Sequence, residues 1–149
     1  MDIIDAKLLT ILQQEGDTSK AELARQVDLT PPAVLERLKK LRERGLLRAT
    51  TAVLDPELLG YSCLAFVQVQ TDPRETDRVA QALAGVVGVQ EVHHVAGEDC
   101  LFVKVRCTDT RSLSKLLRES FHGCPGVRST RSTIVLETVK ETSSLPIRA

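Results

Sequence analysis

Aromatic residues are scarce in this 149-residue chain: three Phe, one Tyr and no Trp, 3% in all. A core must therefore be built from Leu, Val, Ile and Ala. A surface that stacks unpaired bases on aromatic rings is argued against. Net charge is missing too, since 20 Lys and Arg balance 20 Asp and Glu. Any attraction for nucleic acid must then come from local clustering. No apolar run approaches the ~20 residues of a membrane span, so no membrane partner is expected. The opening MDIIDAKLL has no basic segment before an apolar one, so it does not read as a secretion signal.

The four cysteines, Cys63, Cys100, Cys107 and Cys124, form no CxxC pair. Free thiols in a reducing cytoplasm are the expectation. His93 and His94 adjoin in a strand-like run and would point to opposite faces. His122 stands near Cys124, yet no zinc-like spacing emerges. Metal sensing stays open as an alternative, but no metal or cofactor is expected. No nucleophile elbow, phosphate loop or dinucleotide fingerprint is present, and no catalysis is expected.

What is present is 42% apolar and 27% charged sequence, the balance of a globular protein. Residues 2–15 read as a helix: Asp2 caps it, Asp5 stands in its first turn, and Ile4, Leu8 and Ile11 recur on one face. Leu9 and Leu12 widen that stripe, suggesting burial on two sides. Ser19-Lys20-Ala21-Glu22 is a capping-box pattern before a short helix to about Val27. Asp28-Leu29-Thr30 makes a tight turn. Thr30 then caps a third helix with Pro31 at its first position. Val34, Leu38 and Leu41 share its inner face, and Gly45 stops it. Three such helices with so short a turn make a helix-turn-helix. Leu46 to Leu54 reads as one or two short strands, a wing or a connector.

The second half alternates strand and helix signals. Cys63 to Val69 and Leu101 to Cys107 alternate as strands, and Val89 to Ala96 is a third. Asp72-Pro73-Arg74-Glu75 reads as a helix start, and Asp109 caps another helix carrying Leu113, Leu116, Leu117 and Phe121. Val127 to Lys140 reads as a long last strand. The order is βαββαβ, a ferredoxin-like arrangement. Helices would cover one sheet face, and the other, read as open and apolar, would invite a partner. The fold class is α+β, with a winged helix-turn-helix at residues 1–50, a connector at 51–61 and the βαββαβ domain at 62–149.

Residues 30–48 hold six basic side chains, Arg37, Lys39, Lys40, Arg42, Arg44 and Arg48, against Glu36 and Glu43. Double-stranded DNA is the partner such a helix suits. Pro32, Ala33, Glu36, Arg37 and Lys40 lie away from the apolar stripe. Arg37 suits a bidentate pair with guanine, Glu36 suits cytosine and Ala33 a thymine methyl. Thr30, Arg42, Arg44 and Arg48 suit phosphates.

These segments together resemble the Lrp/AsnC family of feast/famine regulators. The pieces are DIIDAKLLTILQQEGDTSKAELARQVDLTPPAVLERLKKLRERGLL, AVLDPELLGY, HHVAGEDCLFVKV and PGVRSTRSTIVLETVKETSSLPI, in order across essentially the whole chain. Asp28 replaces a frequent Gly, and Leu35-Glu36 replaces more basic or polar residues. The resemblance implies a transcription regulator whose C-terminal domain binds a small effector, in family terms an amino acid, and assembles the protein as dimers, tetramers or octamers. It places effector contacts at the turn Ala96-Gly97-Glu98-Asp99 and at the hydroxyl pair Thr130 and Ser132. The family often has its acid one position later, where this chain has Cys100. A regulator that needs no effector is the other reading left open.

Overall fold

A computed structural model describes residues 1–97 and 100–148. The chain falls into two compact units. One is Met1–Leu54 together with the tail from Lys140 onward; the other is Asp55–Val139. The tail was expected to belong with the βαββαβ domain, but it packs with the helices instead. Ile147 joins their apolar cluster, and the Gln13 amide both donates to the Leu145 carbonyl (3.0 Å) and accepts from its N–H (2.7 Å). That contact gives the wide stripe of the first helix part of its second partner.

The first unit contains α1 (Ile3–Gln14), α2 (Lys20–Gln26) and α3 (Pro31–Glu43). Each begins at the cap its sequence marks. Asp2 and Asp5 form a reciprocal capping box on α1. The Ser19 hydroxyl accepts from the Glu22 N–H at 3.1 Å. Only half of that second box forms, because the Glu22 carboxylate turns to Arg25 and Gln26. There it accepts two bonds from Arg25 and one from Gln26. Asp28 takes the left-handed conformation at φ 54° that the tight turn requires. Leu8, Leu23, Val34, Leu38 and Leu41 form the buried centre.

No strand forms between Leu46 and Leu54. The wing read from that stretch is absent as paired strands, and Val53 stands 94% exposed. An alternating run without a partner strand has no ladder to join, so its backbone turns to solvent.

The second unit runs β1 (Cys63–Thr71), α4 (Thr76–Ala84), β2 (Val89–His94), β3 (Leu101–Cys107), α5 (Thr110–Leu116) with a following π-helical turn (Leu117–Phe121), and β4 (Val127–Ile134). The sheet order is β2-β3-β1-β4 with every neighbouring pair antiparallel. Ala65, Val67 and Val69 of β1 and Leu101, Val103 and Val105 of β3 pack on Val79, Leu83, Leu113 and Phe121 from the helices. Cys63 lies opposite Cys107, and burial pushes both thiols up.

The uncovered face is not the apolar surface expected. Phe66 stacks on Phe102, ring centroids 5.4 Å apart. Side-chain alternation surrounds them with Gln68, Gln70, Lys104, Arg106 and Arg131.

Two boundaries also differ. Asp72 forms a local turn by accepting from the Arg74 N–H, and α4 starts only at Thr76. β4 ends at Ile134 rather than Lys140 because β1, its one partner strand among the described residues, is nearly at its end: Ile134 pairs with Ala65, two residues from the start of β1.

Gly126 precedes β4 with φ 91°, and an added Cβ would meet Glu75 Cβ at 2.8 Å and Val79 Cγ2 at 3.1 Å. Gly126→Ala should therefore destabilise the second unit by about 1–3 kcal/mol in chemical denaturation. An unchanged midpoint would show that the α4–β4 junction relaxes freely.

Candidate nucleic-acid interface and effector groove

The outward face of α3 follows from which residues its inner stripe removes. Pro32, Leu35, Glu36, Lys39 and Lys40 are exposed, with Leu35 at 55%. Lys40 pairs loosely with Glu36 at 3.5 Å, and Lys39 with Glu43 at 3.9 Å. Such one-turn pairs on a wet helix are weak and easily exchanged. Arg42, Arg44 and Arg48 are exposed and have no ionic partner among the described residues. The Thr30 hydroxyl accepts from the Ala33 N–H at 3.4 Å, holding the helix N-terminus. Sequence reasoning missed Leu35 and Lys39. One hundred degrees per residue, counted from Val34, places both on the outer half of the helix.

Arg37 is the clear correction. It does not project into solvent toward a base. Its Nη1 donates to Asp2 Oδ2 at 2.6 Å and Asp5 Oδ1 at 2.8 Å, with the side chain only 30% exposed. Ala33 is likewise half-buried on that flank. The two acids that cap α1 therefore also grip α3. The Asp5 N–H, and then Arg37, hold the Asp2 carboxyl below its ordinary value. The same acids hold Arg37 firmly charged.

In the second unit, Ala96 and Gly97 lie exposed at the β2–β3 connection, which the Val95 N–H closes on the Cys100 carbonyl at 3.0 Å. Gly97 has φ 137° and open space where a Cβ would be, so backbone conformation alone favours glycine there. Glu98 and Asp99 lie outside the described residues. Hydrogen bonds with Thr71 draw the neighbouring Cys100 thiol below its ordinary value.

Thr130 and Ser132 do share one face of β4, opposite Val69 and Val67 and thus on the helix-covered side. The Thr130 hydroxyl is 2.9 Å from His122 Nε2. Ser132 opens into a groove of about 400 Å³ between α5, its π-helical turn and β4. Leu113, Leu117 and Ile134 form its apolar part; Ser114, Arg118 and His122 line one flank. The turn at Gly97 does not join this groove in one chain. Leu101, just after the turn, pairs with Val69, and Val69 with Thr130. A whole strand separates the two, roughly 10 Å at ordinary sheet spacing. Sequence reasoning missed Ser114 and Arg118 and considered His122 only as a metal ligand. Their four-residue spacing was the available signal. Among the described residues, no three His, Cys, Asp or Glu side chains converge as a metal site.

A capped helix-turn-helix with a solvent-facing third helix, joined to a βαββαβ unit with a ligand-sized groove, defines a two-part DNA-binding regulator. Residues 1–48 match a winged helix-turn-helix DNA-binding model, and residues 64–145 match the Lrp/AsnC ligand binding domain. The chain is 38% identical to the HTH-type transcriptional regulator FL11 of Pyrococcus horikoshii, over 99% of this chain and 97% of that one. It is 35% identical to the leucine-responsive regulatory protein of Escherichia coli, over 99% and 92%. A transcriptional regulator of Neisseria meningitidis, solved as its L-methionine complex, superposes with a TM-score of 0.91 at 29% identity, over 98% and 96% of the two chains. The chain belongs to the Lrp/AsnC family of transcriptional regulators.

Replacing Arg37 with Ala should lower the melting temperature of the helical unit by a few degrees, on the order of 5 °C. The loss arises from leaving the buried Asp5 carboxylate without its cation. Asp2 titrates below its ordinary 3.8 in the folded chain. Its stabilising contribution is thus complete above that value and fades as pH falls through the lowered folded value. An acid titration of Tm should show this fading in the parent and less of it in Asp2→Asn. Parallel curves would mean that Asp2 adds nothing.

Proposed function

We propose that this regulator binds double-stranded DNA sequence-specifically through the exposed face of α3, as a homo-oligomer in the cytoplasm, and that a small effector, an amino acid, changes its assembly or DNA affinity. It is not an enzyme in this reading. The observation that carries the DNA half is the solvent-facing row of Pro32, Glu36, Lys39 and Lys40 on a helix capped by Thr30. A recognition helix enters the major groove with its N-terminal part against base edges. Glu36 and Lys40 are placed to read bases. Thr30, Arg44 and Arg48 serve the phosphates. Arg37 positions the helix instead of reading a base, and Ala33 packs beside it.

The effector half is supported by the ligand-binding-domain match and by the groove at Ser132. Relatives named as leucine-responsive, and a neighbour solved with methionine, point to amino acids as the class. The turn at Ala96 and Gly97 contributes from a second chain, because one chain holds it a strand away from Thr130. Effector and DNA affinities are then linked reciprocally.

Two measurements test this reading. In fluorescence-anisotropy titrations on operator DNA, Arg48→Ala should weaken binding to all sequences alike. It should also reduce the slope of log K against log salt by about 1. Lys40→Ala should instead change preference at one base pair by about 1–3 kcal/mol. Equal affinity of both variants and parent would overturn the assigned α3 surface. Separately, a thermal-shift screen of the amino acids should find at least one that raises Tm. No shift with any would overturn the effector half.

A further inference from the structure

We infer that the effector groove selects an amino acid with an acidic side chain, and that Arg118 is the residue that selects it. This rests on the reading of the second unit as effector-binding and goes further by naming the effector's charge. Arg25, Arg37, Arg78 and Arg128 each meet a carboxylate of the chain. Arg118 lines the groove and has no hydrogen-bond or ion-pair partner among the described residues. None of the groove's described lining residues is acidic. Its neighbour Glu119 does not line it. Within one chain, the groove's described lining is thus cationic.

The remaining lining fits a short acid chain. Leu117 and Ile134 offer an apolar bed for one or two methylene groups. Ser114 and Ser132 offer hydroxyls on opposite walls. His122 is already bonded to Thr130, which leaves the Ser132 hydroxyl as the groove's free β4 group. A planar guanidinium presents paired donors that match a carboxylate. At about 400 Å³ the groove is near the small end of ligand sites, so a single amino acid suits it better than a nucleotide. Leucine or methionine would set an apolar end against an unpaired cation. Lysine would bring a like charge.

The test is isothermal titration of the full-length protein with glutamate, aspartate, leucine, methionine and lysine. Succinate and 2-oxoglutarate serve as acids without an amine. Glutamate or aspartate should bind best. Arg118→Gln should weaken them by about tenfold or more, the effect of losing one charge-assisted pair. Arg118→Glu should abolish them and gain lysine binding, a result that misfolding cannot mimic. Acid binding unchanged in Arg118→Gln would overturn the assignment of Arg118. Leucine or methionine as the best ligand would overturn the charge inference while leaving an amino-acid effector in place. Succinate binding as well as glutamate, and lost in Arg118→Glu, would support Arg118 as the anion selector but overturn the amino-acid class. Binding by none would overturn both readings.

Discussion

The second unit depends on the double pairing of β1. This strand bonds to β3 along one edge and to β4 along the other, so its register fixes the facing of three strands at once. Shifting a strand by one residue would turn its whole apolar set outward. Val67 and Val69 must face the helices, and their partners Ser132 and Thr130 are carried to the same side. The hydroxyl pair is thereby aimed at α5 and its π-helical turn instead of the uncovered face. The same parity puts Gln68 and Arg131 on that other face beside the Phe66–Phe102 stack. One register thus makes the core, opens the groove and sets the polarity of the outer surface.

The helical unit has a comparable constraint in the grip of Asp2 and Asp5 on Arg37. Helix capping usually concerns one helix alone. Here the capping carboxylates face a second helix, so the start of α1 and the middle of α3 are fixed together. Asp5 is 12% exposed at its side chain and needs a cation for that burial to be tolerable. The surface of α3 that remains free is displaced away from α1, toward Leu35 and Lys39. A basic residue in a recognition helix is therefore not automatically available to DNA. Its neighbours decide whether it reads or supports.

Local rules read much of this fold from the sequence. Asp2, Ser19, Thr30 and Asp109 all cap helices as their chemistry suggests. Asp28 and Gly45 adopt the positive φ that their turns need. The alternation of β1 and β3 emerges as the core. Features that failed to show depend on distant partners. The end of β4 is set by where β1 begins, not by the residues after Ile134. The stretch from Leu46 to Leu54 has strand-like composition but no strand to pair with. The tail from Lys140 follows the expected last strand and was counted with its domain, yet Gln13 and the helical cluster hold it. Arg37 looks like a reader until two acids 35 and 32 positions away are brought to it.

The candidate effector site divides along the same line. Ser132 was visible as half of a hydroxyl pair, but its surroundings were not, because they come from a helix segment two turns long and a groove that only packing creates. The π-helical turn at Leu117–Phe121 matters here. Its wider winding carries Leu117 and Phe121 into contact with the core while Arg118 and His122 remain on the groove side. A regular helix would rotate those residues further per step relative to Ser114. Ser114, Arg118 and His122 follow one another at four-residue steps and so share one wall. Insertions of this kind persist where geometry serves a site, since their hydrogen bonding is poorer than that of the helix they interrupt.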